Sequence, residues 1–276
     1  MTRTRIAFIG GGNMAHSLIA GLVADGQEPS TLTVSDPLVE RREHLAAGFG
    51  INAAPDNAAA VAVAEVVLLC VKPQTAPSLC RELADALPDA PPLLISIMAG
   101  VTEASIARWL GRASALVRAM PNTPMMVQSG AIGLHANSAT TASQRNLAEE
   151  IMRAGGLTHW VDKETDLDVV TAVSGSGPAY FFLFMEALEK AAIEQGLDAD
   201  AARLLSIQTA LGAARMAMES DESPRQLRER VTSPGGTTEQ ALRTLTEGGF
   251  EPLVSRGVAA ARRRAEELSK LLGADQ

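Results

Sequence analysis

The sequence predicts an α/β protein with an N-terminal, doubly wound, mostly parallel sheet and a C-terminal all-helical region. Five short apolar runs recur along the first part of the chain, separated by helical or loop-like stretches: residues 5–9, 32–35, 66–71, 93–97 and 115–119. Alternation of this kind builds a parallel sheet with helices on both faces. After about Asp162 the strand-like runs stop, and segments rich in Ala, Leu, Met and Glu take over with helical periodicity.

Two weaker apolar runs, 130–134 and 157–161, extend the predicted sheet at one edge. We therefore expect a sheet domain over residues 1–162 and a helical domain over residues 163–276.

The helical region divides at prolines and glycines. A helix is predicted to begin at Pro178, a favoured first-turn residue, and to end before Gly196. The later segments share helical periodicity and are predicted to be helices over 199–218, over 224–231, and from the end of the loop 232–238 to the C-terminus.

Composition limits the class of partner. The formal net charge of −8 disfavours nucleic acid and anionic membrane surfaces, because both attract basic proteins. The apolar run before Gly10 is too short for a signal peptide, and no later run reaches 18 uninterrupted apolar residues. Cys70 and Cys80 lack CxxC spacing, and the four histidines are scattered. We expect a cytoplasmic protein without a metal that binds a small molecule.

A glycine turn follows the first predicted strand. Gly10, Gly12 and Ala15 occupy the three positions of a GxGxxG/A motif between a strand and a helix, and Asp36 follows the second strand. A turn without side chains lets the backbone approach a pyrophosphate, whose charge the helix N-terminus attracts. The motif predicts a dinucleotide site in a Rossmann-type domain, although a tight turn without a ligand has the same spacing.

The choice between NAD and NADP stays open at Asp36. An acidic residue there normally hydrogen-bonds the adenosine ribose 2′-hydroxyl and repels a 2′-phosphate. Arg41 and Arg42 follow closely and would supply positive charge for a phosphate if the loop bends back.

Two further motifs lie at the carboxyl ends of predicted strands, where doubly wound sheets bind ligands. Lys72, in Val71-Lys72-Pro73, would face the cofactor or stand as a solvated loop lysine. Asn122 lies between two prolines after the fifth apolar run and would donate and accept hydrogen bonds near a nicotinamide. A rigid surface turn is the alternative for the second motif.

Small polar residues precede helices at two places in the second half, Ser174–Pro178, which includes Ser176, and Thr232–Thr238. The second segment combines glycines, hydroxyls and a helix start, which is how backbone N–H groups hold a carboxylate. Helix capping alone would also explain these residues.

The predicted helix that follows carries Phe181, Phe182, Phe184 and Met185, so apolar groups cover more than one face. Such a helix is either an ordinary core helix or part of an interface between subunits. We expect a homo-oligomer.

Taken together, the motifs GGGNMA, VKP, MPNTP, SGSGPAYFF and TSPGGTT, in this order over nearly the whole chain, resemble those of the pyrroline-5-carboxylate reductases. The resemblance implies hydride transfer from NAD(P)H to the C=N bond of 1-pyrroline-5-carboxylate, giving L-proline, the last step of proline biosynthesis. It also implies that the C-terminal helical domain forms a homodimer, which in the family often assembles into a decamer.

The resemblance implies site residues position by position. Thr238 corresponds to the family's threonine near the imine nitrogen, and the substrate is expected to contact Ser233, Gly235, Gly236, Thr237 and Thr238. Ser176 is predicted to contact the substrate as well. Cofactor contacts fall on Ile9, Gly10, Gly11, Gly12, Asn13, Met14, Asp36, Asn57, Cys70, Val71, Lys72, Pro73, Ile97, Met98 and Ala99.

One departure from the family concerns Asp36, where members that prefer NADPH tend to carry a small hydroxyl or amide residue. We expect NADP(H) to be preferred and NAD(H) to be usable as well.

Two alternative functions are left open: a hydroxyacid dehydrogenase or ketone reductase, and a protein that binds NAD(P)H without catalysis. The first normally needs a catalytic lysine early on a long helix, whereas Lys190 comes near the end of its helix.

Overall fold

The computed structural model describes residues 4–273 and contains one eight-stranded sheet with the strand order β3-β2-β1-β4-β5-β6-β7-β8. The strands, in chain order, are β1 Ile6–Ile9, β2 Leu32–Ser35, β3 Asn52–Ala53, β4 Val66–Leu69, β5 Leu93–Ser96, β6 Leu116–Met120, β7 Gly130–Ala136 and β8 Gly156–Trp160. Neighbouring strands are parallel except for β6 and β7.

This sheet confirms the predicted fold class, including the two weak runs at its edge. The strand order reverses between β1 and β4, which creates the crevice at the carboxyl ends where doubly wound folds bind ligands. Prediction missed β3, because two exposed residues carry no periodic apolar signal.

Helices cover both faces of the sheet in the first part of the chain. They are α1 Asn13–Ala24, α2 Val39–Phe49, α3 Asn57–Ala62, α4 Ala76–Ala86, α5 Glu103–Leu110 and α6 Ala142–Arg153. Successive residues of β1 enter opposite cores: Ile6 and Phe8 pack with one cluster, and Ala7 and Ile9 pack with the other. Burial on both faces explains why these strands appear in the sequence as continuous apolar runs.

The rest of the chain is helical after β8. The elements are α7 Asp166–Val170, a π-helical turn Thr171–Gly175, α8 Gly177–Glu194, α9 Ala199–Glu219, α10 Pro224–Arg230, α11 Thr237–Glu247 and α12 Phe250–Gly273. These bounds agree with the predicted helices over 199–218 and 224–231 to within one residue.

The predicted helix from Pro178 corresponds to α8, Gly177–Glu194, which begins one residue earlier. The helical run also continues upstream through the π turn to Asp166, so Pro178 has helical turns on both sides. A proline within a helix removes one N–H donor and crowds the carbonyl four residues earlier. Here the π turn just before it takes up the disturbance, as insertions in the helical ladder commonly do.

The run Asp166–Glu194 is also the one helix among the described residues that is long and apolar enough to cross a membrane. Only 17% of its most apolar window is buried within the chain. Length and composition do not separate a membrane span from a helix at a protein interface, so the expected absence of a membrane partner stays a prediction.

The described chain forms two compact units. The first comprises the chain up to Ser176 together with the segment from Ala261, and the second is Gly177–Ala260. In the first unit, the side chain of Arg108 donates a bond of 2.6 Å to the carbonyl of Gly273, which ties the end of α12 to α5. The domains 1–162 and 163–276 stay a prediction, and their outermost residues, 1–3 and 274–276, lie outside the described part.

Candidate active site

The glycine turn after β1 is shaped by its contact with the end of β4. Gly10 has a φ of +100°, and a Cβ on it would lie 2.6 Å from the carbonyl oxygen of Cys70. Its N–H donates to the carbonyl of Ser35 at 2.8 Å. Both the conformation and the space therefore require glycine at this position.

Gly11 is held by Asp36, the acidic residue after β2. The N–H of Gly11 donates to Asp36 Oδ2 at 2.8 Å, and Leu38 N–H donates to Asp36 Oδ1 at 2.9 Å. Arg41 Nη1 lies 3.2 Å from Asp36 Oδ2. The Asp36 side chain is only 4% exposed, so its carboxylate is already surrounded by partners from the chain.

Gly12 is different, because nothing lies within 4 Å of the position that a Cβ would take. It is the N-cap of α1, and within the described chain no side chain caps the first N–H groups of this helix. Free N–H groups and the helix dipole at a side-chain-free turn form a binding site for an anion. This geometry fits the pyrophosphate of a dinucleotide.

Four predicted cofactor segments meet at the carboxyl edge of the sheet. The segment Cys70–Pro73 follows β4, and Ile97–Ala99 follows β5. Asn57 begins α3, where its side chain accepts from Ser35 Oγ at 2.8 Å and donates to Glu82 Oε1 at 3.0 Å. Together with the glycine turn they border the crevice on either side of β1.

Lys72 and Cys70, two of the predicted cofactor contacts at this edge, differ in exposure and charge. Lys72 is exposed at the start of a short 3₁₀ turn, where its ammonium is accessible to a ligand. Burial raises the pKa of the Cys70 thiol far above its usual range, so the thiol stays protonated, and the contact predicted for Cys70 would come from its backbone.

Asn122 lies at the same edge after β6, but both ends of its amide are bound within the protein. Its Nδ2 donates to the carbonyl of Ser174 at 3.0 Å, and its Oδ1 accepts the N–H of Ala131 at 2.9 Å. The side chain links the loop after β6 to the π turn, a role that the sequence did not indicate.

The loop Ser233–Thr238 lies in the second unit and precedes α11, whose N-cap is Gly236. Gly235 has a φ of +72°, and its N–H donates to Glu239 Oε2 at 2.8 Å. Gly236 N–H donates to the carbonyl of Ser233 at 3.0 Å. No side chain of the described residues caps the first N–H groups of α11, and Thr237 and Thr238 are exposed.

One N–H of this loop already binds a carboxylate, that of Glu239, a residue that the sequence analysis did not single out. Its position in the first turn of α11 is the sequence feature that could have indicated this contact. Because the N–H of Gly236 closes a turn with Ser233, the N–H groups of Thr237 and Thr238 are the better candidates for a bound carboxylate.

Two family models match different parts of the chain. Residues 164–268 match the family described as pyrroline-5-carboxylate reductase dimerisation, and residues 5–100 match one described as NADP oxidoreductase, coenzyme F420-dependent. A pyrroline-5-carboxylate reductase of Pseudomonas aeruginosa is 48% identical over 273 residues, covering 99% of this chain and all of the relative. The chain belongs to the pyrroline-5-carboxylate reductase family.

Solved structures of the family have the same fold. A pyrroline-5-carboxylate reductase from Coxiella burnetii superimposes with a TM-score of 0.94 at 47% identity, covering 97% of this chain and 99% of that one. A Plasmodium falciparum pyrroline carboxylate reductase with NADP bound gives a TM-score of 0.85 at 28% identity, covering 98% and 99%. Family membership confirms the resemblance stated from the motifs, the fold and the enzyme class, an NAD(P)-dependent oxidoreductase acting on an imine.

The hydroxyacid dehydrogenase alternative has no support at its key position. Lys190, the one lysine of α8, has a side chain that is 69% exposed and forms a 2.7 Å ion pair with Glu186 one turn earlier. An exposed, helix-surface pair of this kind is typical of a solvated face rather than of a catalytic lysine.

Among the described residues, no group of three His, Cys, Asp or Glu side chains is arranged to hold a metal ion.

Proposed function

We propose that this chain reduces 1-pyrroline-5-carboxylate to L-proline, the last step of proline biosynthesis, with NADPH as the preferred donor and NADH also used. The observation that carries the proposal is the Ser233–Thr238 loop, a glycine N-cap with exposed hydroxyls and unbonded helix N–H groups. A dinucleotide-binding protein without an amino-acid substrate has no need of such a loop.

The first unit supplies the cofactor contacts. The free N–H groups at the start of α1 bind the pyrophosphate, and Gly10 and Gly12 let the backbone approach it. We assign the remaining contacts to the residues named from the family: Ile9, Gly11, Asn13, Met14, Asp36, Asn57, Cys70, Val71, Lys72, Pro73, Ile97, Met98 and Ala99. When bound, the reduced nicotinamide supplies the hydride.

The loop Ser233–Thr238 supplies most of the proposed substrate contacts. The N–H groups of Thr237 and Thr238 hold the carboxylate, and the Thr238 hydroxyl hydrogen-bonds the ring nitrogen. Ser176, half-buried at the end of the π turn, is assigned to the substrate as well. A protonated cyclic imine is already a strong hydride acceptor, so the residues mainly orient the reactants, and no general acid is assigned.

Asp36 and Arg41 together favour NADPH. A free aspartate at this position would repel a 2′-phosphate, but the Asp36 carboxylate is buried against Gly11 N–H and paired with Arg41. Arg41 remains 47% exposed, so its guanidinium can also bind a phosphate. This arrangement supports use of both cofactors, with NADPH ahead.

We further propose a cytoplasmic homodimer formed by the C-terminal helices, with a decamer as the larger assembly. Helix α8 supports the dimer, because Phe181, Phe182 and Leu183 are each more than 60% exposed within one chain. An apolar surface of this extent on a soluble enzyme is covered by a partner.

The deciding experiment is to mix the purified protein with pyrroline-5-carboxylate and NADPH and to follow the loss of NADPH absorbance, with L-proline identified as the product. Parallel reactions with NADH, and with a 2-hydroxy acid and NADP⁺, test the cofactor preference and the rival enzyme class. NADPH binding without its oxidation by pyrroline-5-carboxylate would overturn the proposal and favour a non-catalytic binding protein.

A further inference from the structure

The loop after β6 is joined to the π turn by a single amide side chain. Asn122 is 9% exposed and donates from Nδ2 to the carbonyl of Ser174, while its Oδ1 accepts the N–H of Ala131. These partners lie 52 and 9 residues away along the chain, and all three residues belong to the first compact unit.

The carbonyl of Ser174 needs a donor because of the residue that comes four positions later. In a regular α-helix the acceptor for the N–H of residue 178 is the carbonyl of residue 174, but residue 178 is a proline and has no N–H. A carbonyl that is shielded from water and lacks a partner is destabilising. The Asn122 amide supplies the missing donor from outside the helix.

A second contact shows that the two segments are fitted to each other. A Cβ on Gly175 would lie 2.8 Å from the terminal methyl of Met120, the last residue of β6. The N–H of Ser176 bonds back to the carbonyl of Thr171 at 2.8 Å, which closes the π turn directly before the helix continues. The backbone that carries Ser176 is thus set by Met120 and Asn122.

Building on the function proposed above, we propose that Asn122 is a positioning residue of the reductase, which holds the π turn Thr171–Gly175 and thereby sets the backbone of Ser176, a residue assigned to the substrate. In this role Asn122 acts through Ser174, because its Nδ2 and its Oδ1 each have a backbone partner in the protein. The contact with a nicotinamide that the sequence indicates stays a separate prediction.

The test is a double-mutant cycle that moves the missing N–H back into the helix. Asn122→Asp keeps an acceptor for Ala131 and removes the donor for Ser174. Pro178→Ala gives residue 178 an N–H of its own, which can bond the Ser174 carbonyl. We expect Asn122→Asp to raise the KM for pyrroline-5-carboxylate about tenfold and to change the Kd of NADPH less than twofold. In the Pro178→Ala background the same substitution should raise this KM only about threefold or less.

Asn137→Asp is the matched control. Asn137 also bridges two backbone groups, the carbonyl of Ser114 and the N–H of Leu116, at a place remote from the π turn. It should lower the Tm without changing the KM for the imine. If Asn122→Asp does not fold, Asn122→Ser replaces it, since serine lacks the reach to Ser174 and adds no charge.

Two results would overturn the proposal. Either Asn122→Asp weakens NADPH binding and leaves the KM for the imine unchanged, or its effect is equally large with and without Pro178→Ala. Hydrogen exchange over residues 171–177 is measured on the wild type, Asn122→Asp, Pro178→Ala and the double variant. Exchange should become faster in Asn122→Asp alone. This readout needs no activity, so it still decides whether Asn122 holds the turn if the wild-type chain proves inactive as a reductase.

Discussion

Two helices of this protein begin at a glycine whose first N–H groups no side chain of the described residues caps, α1 at Gly12 and α11 at Gly236. Five other helices begin at a Ser, Thr or Asp side chain that accepts a bond from a helix N–H. Both glycine starts leave N–H groups for a ligand, and the difference between them lies in their surroundings.

The turn before α1 is held by hydrogen bonds from residues of its own unit. Gly10 and Gly11 are buried, and their N–H groups are bound by Ser35 and Asp36. The loop before α11 has one side-chain partner, Glu239 four residues on, and most of the loop is exposed. The glycine turn proposed to bind the cofactor is therefore ordered by contacts within its own unit. The loop Ser233–Thr238, proposed to bind the substrate, belongs to a unit that leaves many polar and apolar groups exposed.

The same contrast holds for the apolar side chains. In the described part of Gly177–Ala260, only Gly177, Ala202 and Ser206 are buried. Leu204 on α9 is 67% exposed, although leucine is a core residue in most proteins. A unit that buries so little alone gains its stability from a partner surface, in agreement with the dimerisation family that it matches.

The largest expected effect comes from placing a charge on this apolar surface. In Leu204→Asp an unpaired carboxylate would be buried in the proposed interface, which costs several kcal/mol. We expect loss of the dimer in light scattering and a fall in Tm of more than about 10 °C. Val63→Asp, at an exposed apolar residue of the first unit, is the control and should change neither quantity. A monomeric mass for the wild-type protein would contradict the dimer itself.

Next in size is the effect of a methyl group in the cofactor turn, where two glycines should respond differently. Gly12→Ala has free space in the chain, so the fold should persist while the methyl blocks the pyrophosphate. We expect the Kd of NADPH to rise about 100-fold with the Tm unchanged. Gly10→Ala would meet Cys70 at 2.6 Å in a strained conformation, so it should lower the Tm. Equal Tm losses in both variants would show that Gly12 is structural.

Local patterns predicted the fold well apart from the short strand β3, and two of the missed contacts join residues that are far apart in the sequence. The strand before Gly10, the turn itself and the helix after it follow from spacing within 20 residues. The bond from Asn122 to Ser174 and the return of the last turn of α12 to α5 join segments that no local pattern relates. The start of α8 at Gly177 follows the local proline signal to within one residue.

A substitution of Thr238 tests the role proposed for the loop Ser233–Thr238. Thr238→Ala removes the hydroxyl assigned to the ring nitrogen and leaves the backbone N–H groups in place. We expect kcat/KM for pyrroline-5-carboxylate to fall at least tenfold, or about 1.4 kcal/mol, with the Kd of NADPH little changed. Thr238→Ser keeps the hydroxyl and should retain most of the activity. Unaltered kinetics in Thr238→Ala would refute the assignment.

The smallest expected effect is a difference between NADPH and NADH when Arg41, beside the glycine turn, is replaced. Arg41 pairs with Asp36 and remains half exposed, whereas Arg42 donates to the carbonyls of Asp36 and Pro55. Since a 2′-phosphate exists only in NADP(H), Arg41→Ala should lower kcat/KM for NADPH about fivefold and leave that for NADH nearly unchanged. Arg42→Ala serves as the matched control. Because Arg41 is exposed, the difference should shrink at high salt, and an equal loss with both cofactors would mean that Arg41 supports the turn through Asp36 instead of binding phosphate.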